Sequence, residues 1–253
     1  TTNLGDSKIQ NKGFDIQLDA RILEGPVTWT VGTNISVNRN KVLYLSDGVD
    51  EIYNTTMRSA QTHVTKVGHP IGSFLAYRTD GIMSEADYQN VLKDREVFEA
   101  NGKSFPEGYV LKGPAVPDYA LEYLSPGNVI YHNTNGDYKI TEADREIIGT
   151  PYPDFTGGFN TAISFKNFDI ALGFTYSVGA QVINFNDYYC YNMEGSGNQY
   201  GVVRNRWKSD KEPGDGYVPR AFRHGNKNTG MKISDRYIDD ADYLRLSTAS
   251  IGY

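Results

Sequence analysis

The stretch FNTAISFKNFDIALGFTYSV, from Phe159 to Val178, decides the fold class. Apolar side chains alternate with polar or small ones on both sides of the dipeptide Lys166-Asn167. A period of two residues is typical of a β-strand with two unlike faces, and a break of two residues between such runs indicates a hairpin. The stretch therefore predicts two antiparallel strands, at about 157–166 and 168–179.

A second hairpin is predicted near the start of the chain. The runs GFDIQLDARIL and VTWTVGTNISVNRN alternate in the same way around the break Glu24-Gly25-Pro26, which predicts strands at about 14–23 and 27–39. A further candidate, YLRLSTASIGY, predicts a strand at about 242–253 but alternates less regularly. The sequence thus indicates an all-β fold.

Two all-β architectures fit this alternation. In a soluble β-sandwich the apolar faces form the core, whereas in an outer-membrane barrel they meet lipid and the polar faces line the lumen. The connections at about 41–155 and 180–240 are far longer than the hairpin turns. Short turns on one side and long loops on the other are typical of membrane barrels and uncommon in soluble domains. The pattern favours a segment of a large transmembrane antiparallel β-barrel, with long extracellular loops that carry short helices.

The barrel interpretation assigns each strand residue to lipid or lumen. The side chains predicted to face lipid are Phe14, Ile16, Leu18, Trp29, Val31, Ile163, Phe165, Phe168, Ile170, Leu172 and Phe174. Those predicted to face the lumen are Asp15, Asp19, Asn34, Asn160 and Asp169.

The first long connection contains a predicted helix in the stretch SEADYQNVLKDREVFEANG. Ser84 is placed to cap its start, Asp87 completes a capping box, and Gly102 follows its end. This connection is therefore expected to be folded.

Composition narrows the function classes. The chain has 253 residues, a formal net charge of −6 and one cysteine, Cys190. An acidic chain without a basic stripe argues against a nucleic-acid partner, and a single cysteine excludes an internal disulfide. The first residues lack the pattern of a signal peptide. No nucleophile elbow, P-loop or dinucleotide-binding motif occurs, so the chain is not expected to be an enzyme.

The stretch HNTNGDYKITEAD, from His132 to Asp144, resembles a calcium-binding loop. Such loops supply oxygens at positions 1, 3, 5, 7 and 12. The corresponding ligands here are Asn133, Asn135, Asp137, the carbonyl of Lys139, and Asp144. With only two carboxylates, and with Tyr138 where a glycine is usual, binding would be weak.

A second interpretation of this stretch needs no ion. Asn and Asp side chains commonly hold a polar turn by accepting nearby backbone N–H groups. Thr141 would then cap a short helix, with Asp144 completing a capping box. Under both interpretations the stretch stabilises an external loop.

Three blocks of the sequence match a known family in its order. They are VGHPIGSFLAYRTDGIM, PGNVIYHNTNGDYKITEADREIIGTPYPDFTGGFNTAISFKNFDIAL and SDRYIDDADYLRLSTASIGY. With these blocks, nearly the whole chain resembles the C-terminal barrel portion of SusC/RagA-type TonB-linked outer-membrane transporters of Bacteroidetes-like bacteria. Members are several times longer, so the resemblance implies a transporter piece without the plug domain and without the segment that contacts TonB.

The resemblance also implies a function and partners. Such transporters import oligosaccharides or peptides across the outer membrane, with a SusD-like surface lipoprotein as a lid and energy passed through TonB. The alternative function that the residues leave open is a soluble, secreted glycan-binding β-sandwich with a calcium-stabilised loop.

A tyrosine-rich segment, NDYYCYNMEG, lies in the second long connection. Tyrosine rings beside polar groups suit sugars or peptides. Tyr188, Tyr189 and Tyr191 are therefore predicted to lie on the extracellular side and to contact the ligand or the lid lipoprotein. The other interpretation is an aromatic girdle at the membrane interface.

Overall fold

The computed structural model describes residues 6–55, 61–119, 124–193, 197–222 and 232–253. The chain divides into two compact units. The first comprises Thr1–Phe74, Gly149–Val182 and Asp239–Tyr253, and the second comprises Leu75–Ile148 and Ile183–Ile238. Among the described residues, no helix is long and apolar enough to span a membrane.

Strands dominate the secondary structure. In chain order the strands are β1 (Lys8–Leu23), β2 (Val27–Tyr44), β3 (Glu51–Thr55), β4 (Gln61–Lys66), β5 (Ser73–Ala76), β6 (Thr79–Ile82), β7 (Val129–Tyr131), β8 (Glu146–Gly149), β9 (Phe155–Phe165), β10 (Phe168–Val178), β11 (Gln181–Ile183), β12 (Ile238–Asp240) and β13 (Tyr243–Gly252). The α-helices are α1 (Glu85–Ala100) and α2 (Phe185–Cys190). Short 3₁₀ helices cover Glu142–Asp144, Gly201–Asn205 and Asp235–Tyr237.

The first unit contains a five-stranded antiparallel sheet in the order β1-β2-β9-β10-β13. Residues that oppose each other in antiparallel strands share a face, so the register defines both faces. One row across the sheet is Leu18, Thr33, Phe159, Phe174 and Leu246. The neighbouring row, on the opposite face, is Asp19, Gly32, Asn160, Gly173 and Thr248. The described strands do not close into a barrel.

The register sorts the strand residues as the alternation predicts. All the side chains predicted to face lipid share the apolar face, and all those predicted to face the lumen share the polar face. The apolar face is open: Phe14 is 53% exposed, Leu18 63% and Ile170 45%. In a β-sandwich these side chains would be buried between sheets. Contact of this face with lipid stays a prediction.

Both hairpin turns lie at the same edge of the sheet, which here means the same end of its strands. Val27 opposes Phe165, so the turn before β2 and the turn after β9 are neighbours. The chain leaves for its long connections after β2 and β10, at the opposite edge. Short turns at one edge and long connections at the other reproduce the asymmetry of membrane barrels.

Two strand boundaries differ from those predicted at 14–23 and 27–39. β1 begins at Lys8 and β2 continues to Tyr44, because their pairing runs on to Lys8 opposite Tyr44. β2 therefore enters the region assigned to a loop at 41–155, and that region also contains strands β3 to β8. Its polar and apolar residues alternate over runs too short to predict strands.

A β-bulge explains why the last strand alternates irregularly. Gly173 opposes Thr248 but Phe174 opposes Leu246, so Ser247 is the extra residue. The bulge reverses the parity of the face, which keeps Leu246 on the apolar side together with Ala249. The hydroxyl of Ser247 donates to the Gly173 carbonyl at 2.9 Å.

Helix α1 contributes to one hydrophobic core of the second unit. The helix has the predicted cap: the Ser84 side chain accepts from the backbone of Asp87, and the Asp87 side chain accepts from the backbone of Ser84. The core beside the helix consists of Met83, Val91, Phe98, Val116, Tyr119 and Leu124. Buried Asp94 accepts hydrogen bonds from Tyr109 and from the backbone of Lys112 and Gly113, which fixes the chain after the helix onto its side.

Candidate functional site

The acidic turn, residues 133–144, is a network of hydrogen bonds between its own side chains and backbone. Asn133 Oδ1 accepts from Gly136 N at 3.0 Å, and Asn135 Oδ1 accepts from Asp137 N at 2.8 Å. Asp137 Oδ1 accepts from Lys139 N at 2.7 Å. Asn133 Nδ2 donates to the Asp137 carbonyl. These are the Asx contacts that hold a polar turn.

Asp144 joins the two ends of the acidic turn. Its side chain is fully buried. Oδ1 accepts from Thr134 N at 3.1 Å, and Oδ2 accepts from Thr141 N at 2.7 Å. The second contact completes the capping box of the 3₁₀ helix Glu142–Asp144, which begins after Thr141 as predicted. A carboxylate that accepts backbone N–H groups on both oxygens needs no cation to be satisfied.

The predicted calcium ligands are therefore brought together, but as hydrogen-bond partners. A calcium ion would compete with N–H donors for the oxygens of Asn133, Asn135, Asp137 and Asp144. Tyr138 stands where calcium loops use glycine, and it is not among the described residues with positive φ. Among the described residues, no group of three or more His, Cys, Asp or Glu could hold a metal. A site built on asparagine and backbone oxygens is not of this kind, so calcium binding stays a prediction.

An ion pair extends the acidic turn. Arg78 Nε donates to Glu146 Oε2 at 3.0 Å, and Thr134 Oγ1 donates to Glu146 Oε1 at 2.8 Å. These two hydrogen bonds, that of Arg78 first, hold the pKa of Glu146 below its usual value. The turn is thus fixed from outside as well as from within.

The three predicted tyrosines differ in burial and in their ring partners. Tyr188 and Tyr189 are half-buried, with their rings edge to face at 5.3 Å. Tyr191 is buried and lies beside the ring of Tyr217 at 5.6 Å. Burial raises the pKa of Tyr191, and the negative charge of Asp215 adds to this effect. The extracellular position of the three tyrosines and their contact with a ligand or lid stay predictions.

Residues distant in sequence complete a tyrosine cluster, which we define as Tyr188, Tyr191, Tyr217, Arg236 and Tyr237. Tyr188 contacts Tyr237 at 5.4 Å between ring centres. The Arg236 guanidinium lies 5.0 Å from the ring centre of Tyr217 and 5.8 Å from that of Tyr191. The sequence gives no local signal for Tyr217 or Arg236 here, because pairing between separate loops follows no period.

A depression of about 500 Å³ lies on the polar face of the sheet. Gly32 leaves the space into which the side chains of Asp19 and Asn160 extend. Gln17 Nε2 donates to Asp19 Oδ2 at 2.7 Å. The polar face of the sheet, which is predicted to line a lumen, therefore carries amide and carboxylate groups that can bind hydroxyl or amide ligands.

The fold is similar to that of solved outer-membrane transporters. The structure of the RagAB peptide transporter matches 97% of the chain with a TM-score of 0.65 at 18% sequence identity, and the match covers 23% of that transporter chain. The RagAB peptide importer in its closed-closed state matches 96% of the chain with a TM-score of 0.63. These neighbours are β-barrel transporters, so the described sheet has the fold of a barrel wall.

Sequence comparison leads to the same class of protein. TonB-dependent receptor P3 of Formosa agariphila is 33% identical over 99% of the chain. TonB-dependent receptor SusC of Bacteroides thetaiotaomicron is 24% identical over the whole chain. The chain spans about a fifth of the length of these relatives, 22% and 21% respectively. No protein-family model matches the chain.

The two comparisons together support the resemblance seen in the sequence: the chain corresponds to a segment of a SusC-type TonB-dependent receptor. Receptors of this class are outer-membrane transporters and are not enzymes.

Proposed function

We propose that the chain forms part of the barrel wall and external loops of an outer-membrane nutrient importer, which takes up oligosaccharides or peptides. The observation that carries the proposal is the five-stranded sheet. It has one continuous apolar face that is open, one polar face, and all its long connections at a single edge. A wall between lipid and an aqueous lumen requires the two unlike faces, and long connections at one end of the strands are typical of such barrels.

The soluble β-sandwich is the weaker candidate. A sandwich stabilises its sheets by burying their apolar faces against each other. Here Phe14, Leu18 and Ile170 remain about half exposed. An apolar face of this extent is suited to lipid and would make a soluble protein aggregate.

The partners follow from the same proposal. A SusD-like surface lipoprotein would cap the importer, and TonB would supply energy through a region outside this chain. Tyr188, Tyr189 and Tyr191 are proposed to lie toward the ligand or the lid, because tyrosine is common at recognition surfaces. Any ion held by the acidic turn would be calcium and would stabilise the loop without entering the transport step.

Uptake by living cells tests the proposed function. The gene for the full-length protein is deleted, and accumulation of labelled oligosaccharide and peptide libraries is compared with that of the parent strain and of a tonB deletion. We expect at least one ligand class to be lost equally in both mutants. The full-length protein should also sediment with the outer membrane and require detergent for extraction. Unchanged uptake of every class, or recovery as a soluble protein, would contradict the proposal.

A further inference from the structure

Arg236 is a buried cation whose side-chain donors are unpaired within the described part of the chain. Arg236 as a whole is 3% exposed. Among the described residues, its side-chain atoms Nε, Nη1 and Nη2 have no hydrogen-bond partner. Buried arginines are usually paired with a carboxylate or with several carbonyl groups, because a buried charge without partners is strongly destabilising.

The surroundings of Arg236 are aromatic. The guanidinium carbon lies 5.0 Å from the ring centre of Tyr217, 5.7 Å from that of Tyr237 and 5.8 Å from that of Tyr191. Ring faces attract a cation at these distances. They are poor acceptors for N–H groups, however, so the guanidinium keeps its capacity for a bidentate partner.

Tyr217 is an exposed aromatic residue beside the buried Arg236. Tyr217 is 41% exposed, although the neighbouring Val218 is fully buried. Its hydroxyl donates to the carbonyl of Arg236 at 2.7 Å, and its backbone N–H donates to Asp215 at 2.9 Å. For a ligand to reach the guanidinium, the Tyr217 side chain would have to rotate and release its hydrogen bond to the Arg236 carbonyl, while Asp215 would still hold the backbone.

We propose that Arg236 binds a carboxylate group of the imported ligand, with the rings of Tyr191 and Tyr217 beside it. A planar carboxylate accepts two parallel hydrogen bonds from a guanidinium, which matches the unused donors. Asp187 and Asp215 act electrostatically on the adjacent Tyr191, so negative charge is already present nearby. This charge disfavours dianions such as phosphate more than a single carboxylate. The proposal rests on the proposed import function and narrows its ligand class.

Direct binding to the purified full-length protein in detergent tests the proposal. Two matched pairs of probes separate the sources of the carboxylate: oligogalacturonate against its methyl ester, and a hexaalanine peptide against its C-terminal amide. Calorimetry gives the Kd of each. We expect the acid of at least one pair to bind about tenfold more tightly than its neutral partner. In Arg236→Met this preference should vanish.

Two further variants keep the test decisive. Arg204→Met removes an exposed arginine of the same unit and should leave the preference unchanged. Arg236→Lys keeps the charge but cannot form a bidentate pair, so it should lose most of the preference even if Arg236→Met does not fold. Equal Kd values within both pairs for the wild type, or an unchanged preference in either Arg236 variant, would overturn the proposal. A failure of uptake with the binding preference intact would contradict the import function alone.

Discussion

Asp144 is the residue on which the acidic turn depends, since its buried carboxylate accepts backbone N–H groups from both ends of the turn. We expect Asp144→Ala to raise amide hydrogen exchange of residues 134–141 in the full-length protein. Loss of buried hydrogen bonds to a charged acceptor costs about 1.5–3 kcal/mol each, so local exchange should accelerate at least tenfold. Mass spectrometry of peptides that cover this turn measures the change, with peptides from helix α1 as the internal reference.

The same measurement separates the two interpretations of the turn. The hydrogen bonds of Asn133, Asn135 and Asp137 involve no ion, so wild-type protection should persist in EGTA. The calcium hypothesis requires protection that is lost in EGTA and restored by millimolar calcium but not by magnesium. The sequence predicts which residues form this turn but does not decide between the two interpretations, because a side-chain oxygen can accept a hydrogen bond from an N–H group or bind a cation.

Gly157 lies in β9, between β10 and β2, and leaves the space that the side chain of Tyr176 needs to reach β2. Tyr176 lies over it and donates its hydroxyl to the Asn34 carbonyl at 2.9 Å. A Cβ at position 157 would collide with that carbonyl and with the tyrosine hydroxyl. We therefore expect Gly157→Ala to destabilise the full-length protein by about 1–3 kcal/mol, measured by guanidinium denaturation in detergent.

Gly173→Ala is the matched control for Gly157→Ala. It lies on the same sheet, and a Cβ there would meet Ser247 Oγ at 3.4 Å, an ordinary contact. Its effect should stay within about 1 kcal/mol, since alanine also restricts the unfolded chain. Equal losses in both variants would mean that Tyr176 does not require the space above Gly157.

At the scale of elements, local patterns predict the hairpins and helix α1 because the signals lie within a few residues: alternation, a short break, or a capping box. The pairing of β2 with β9 carries no such signal, although it brings Trp29 close enough to donate to Thr161 Oγ1 at 2.8 Å. The bulge at Ser247 is equally silent, since only the neighbouring strand shows which residue is extra. The order of the strands in the sheet and the residues around Arg236 therefore could not be predicted from the sequence.

Strand β10 gives a test of which face meets lipid. Ile170 lies on the apolar face and Thr175 on the polar face of the same strand. If the apolar face meets lipid, Ile170→Arg should cost about 2–4 kcal/mol near the middle of the membrane, because a charge is then exposed to hydrocarbon. Thr175→Arg should be far milder. Guanidinium denaturation of the full-length protein in lipid vesicles measures both, and comparable losses would contradict a lipid-facing side.

At the scale of the whole molecule, the direction of the sheet in the membrane is the property that neither pattern nor register decides. Both hairpin turns lie at one edge and both long connections leave from the other. An importer that meets its ligand and lid outside the cell requires the long connections to be extracellular, as in membrane barrels generally. The predicted loop regions at about 41–155 and 180–240 should then be accessible from outside, and the turns should not.

Cysteine labelling of intact cells tests this orientation. In a Cys190→Ser background, single cysteines are placed at Glu107 and Lys211 in the long connections and at Glu24 and Asn167 at the turn edge; all four native residues are exposed. A maleimide–polyethylene glycol too large to cross the outer membrane should modify the first two in intact cells. The other two should react only after the outer membrane is permeabilised, because an equally exposed side chain differs only in the compartment it reaches. The reverse labelling pattern would place the turns outside and remove the physical basis for a ligand site on the long connections.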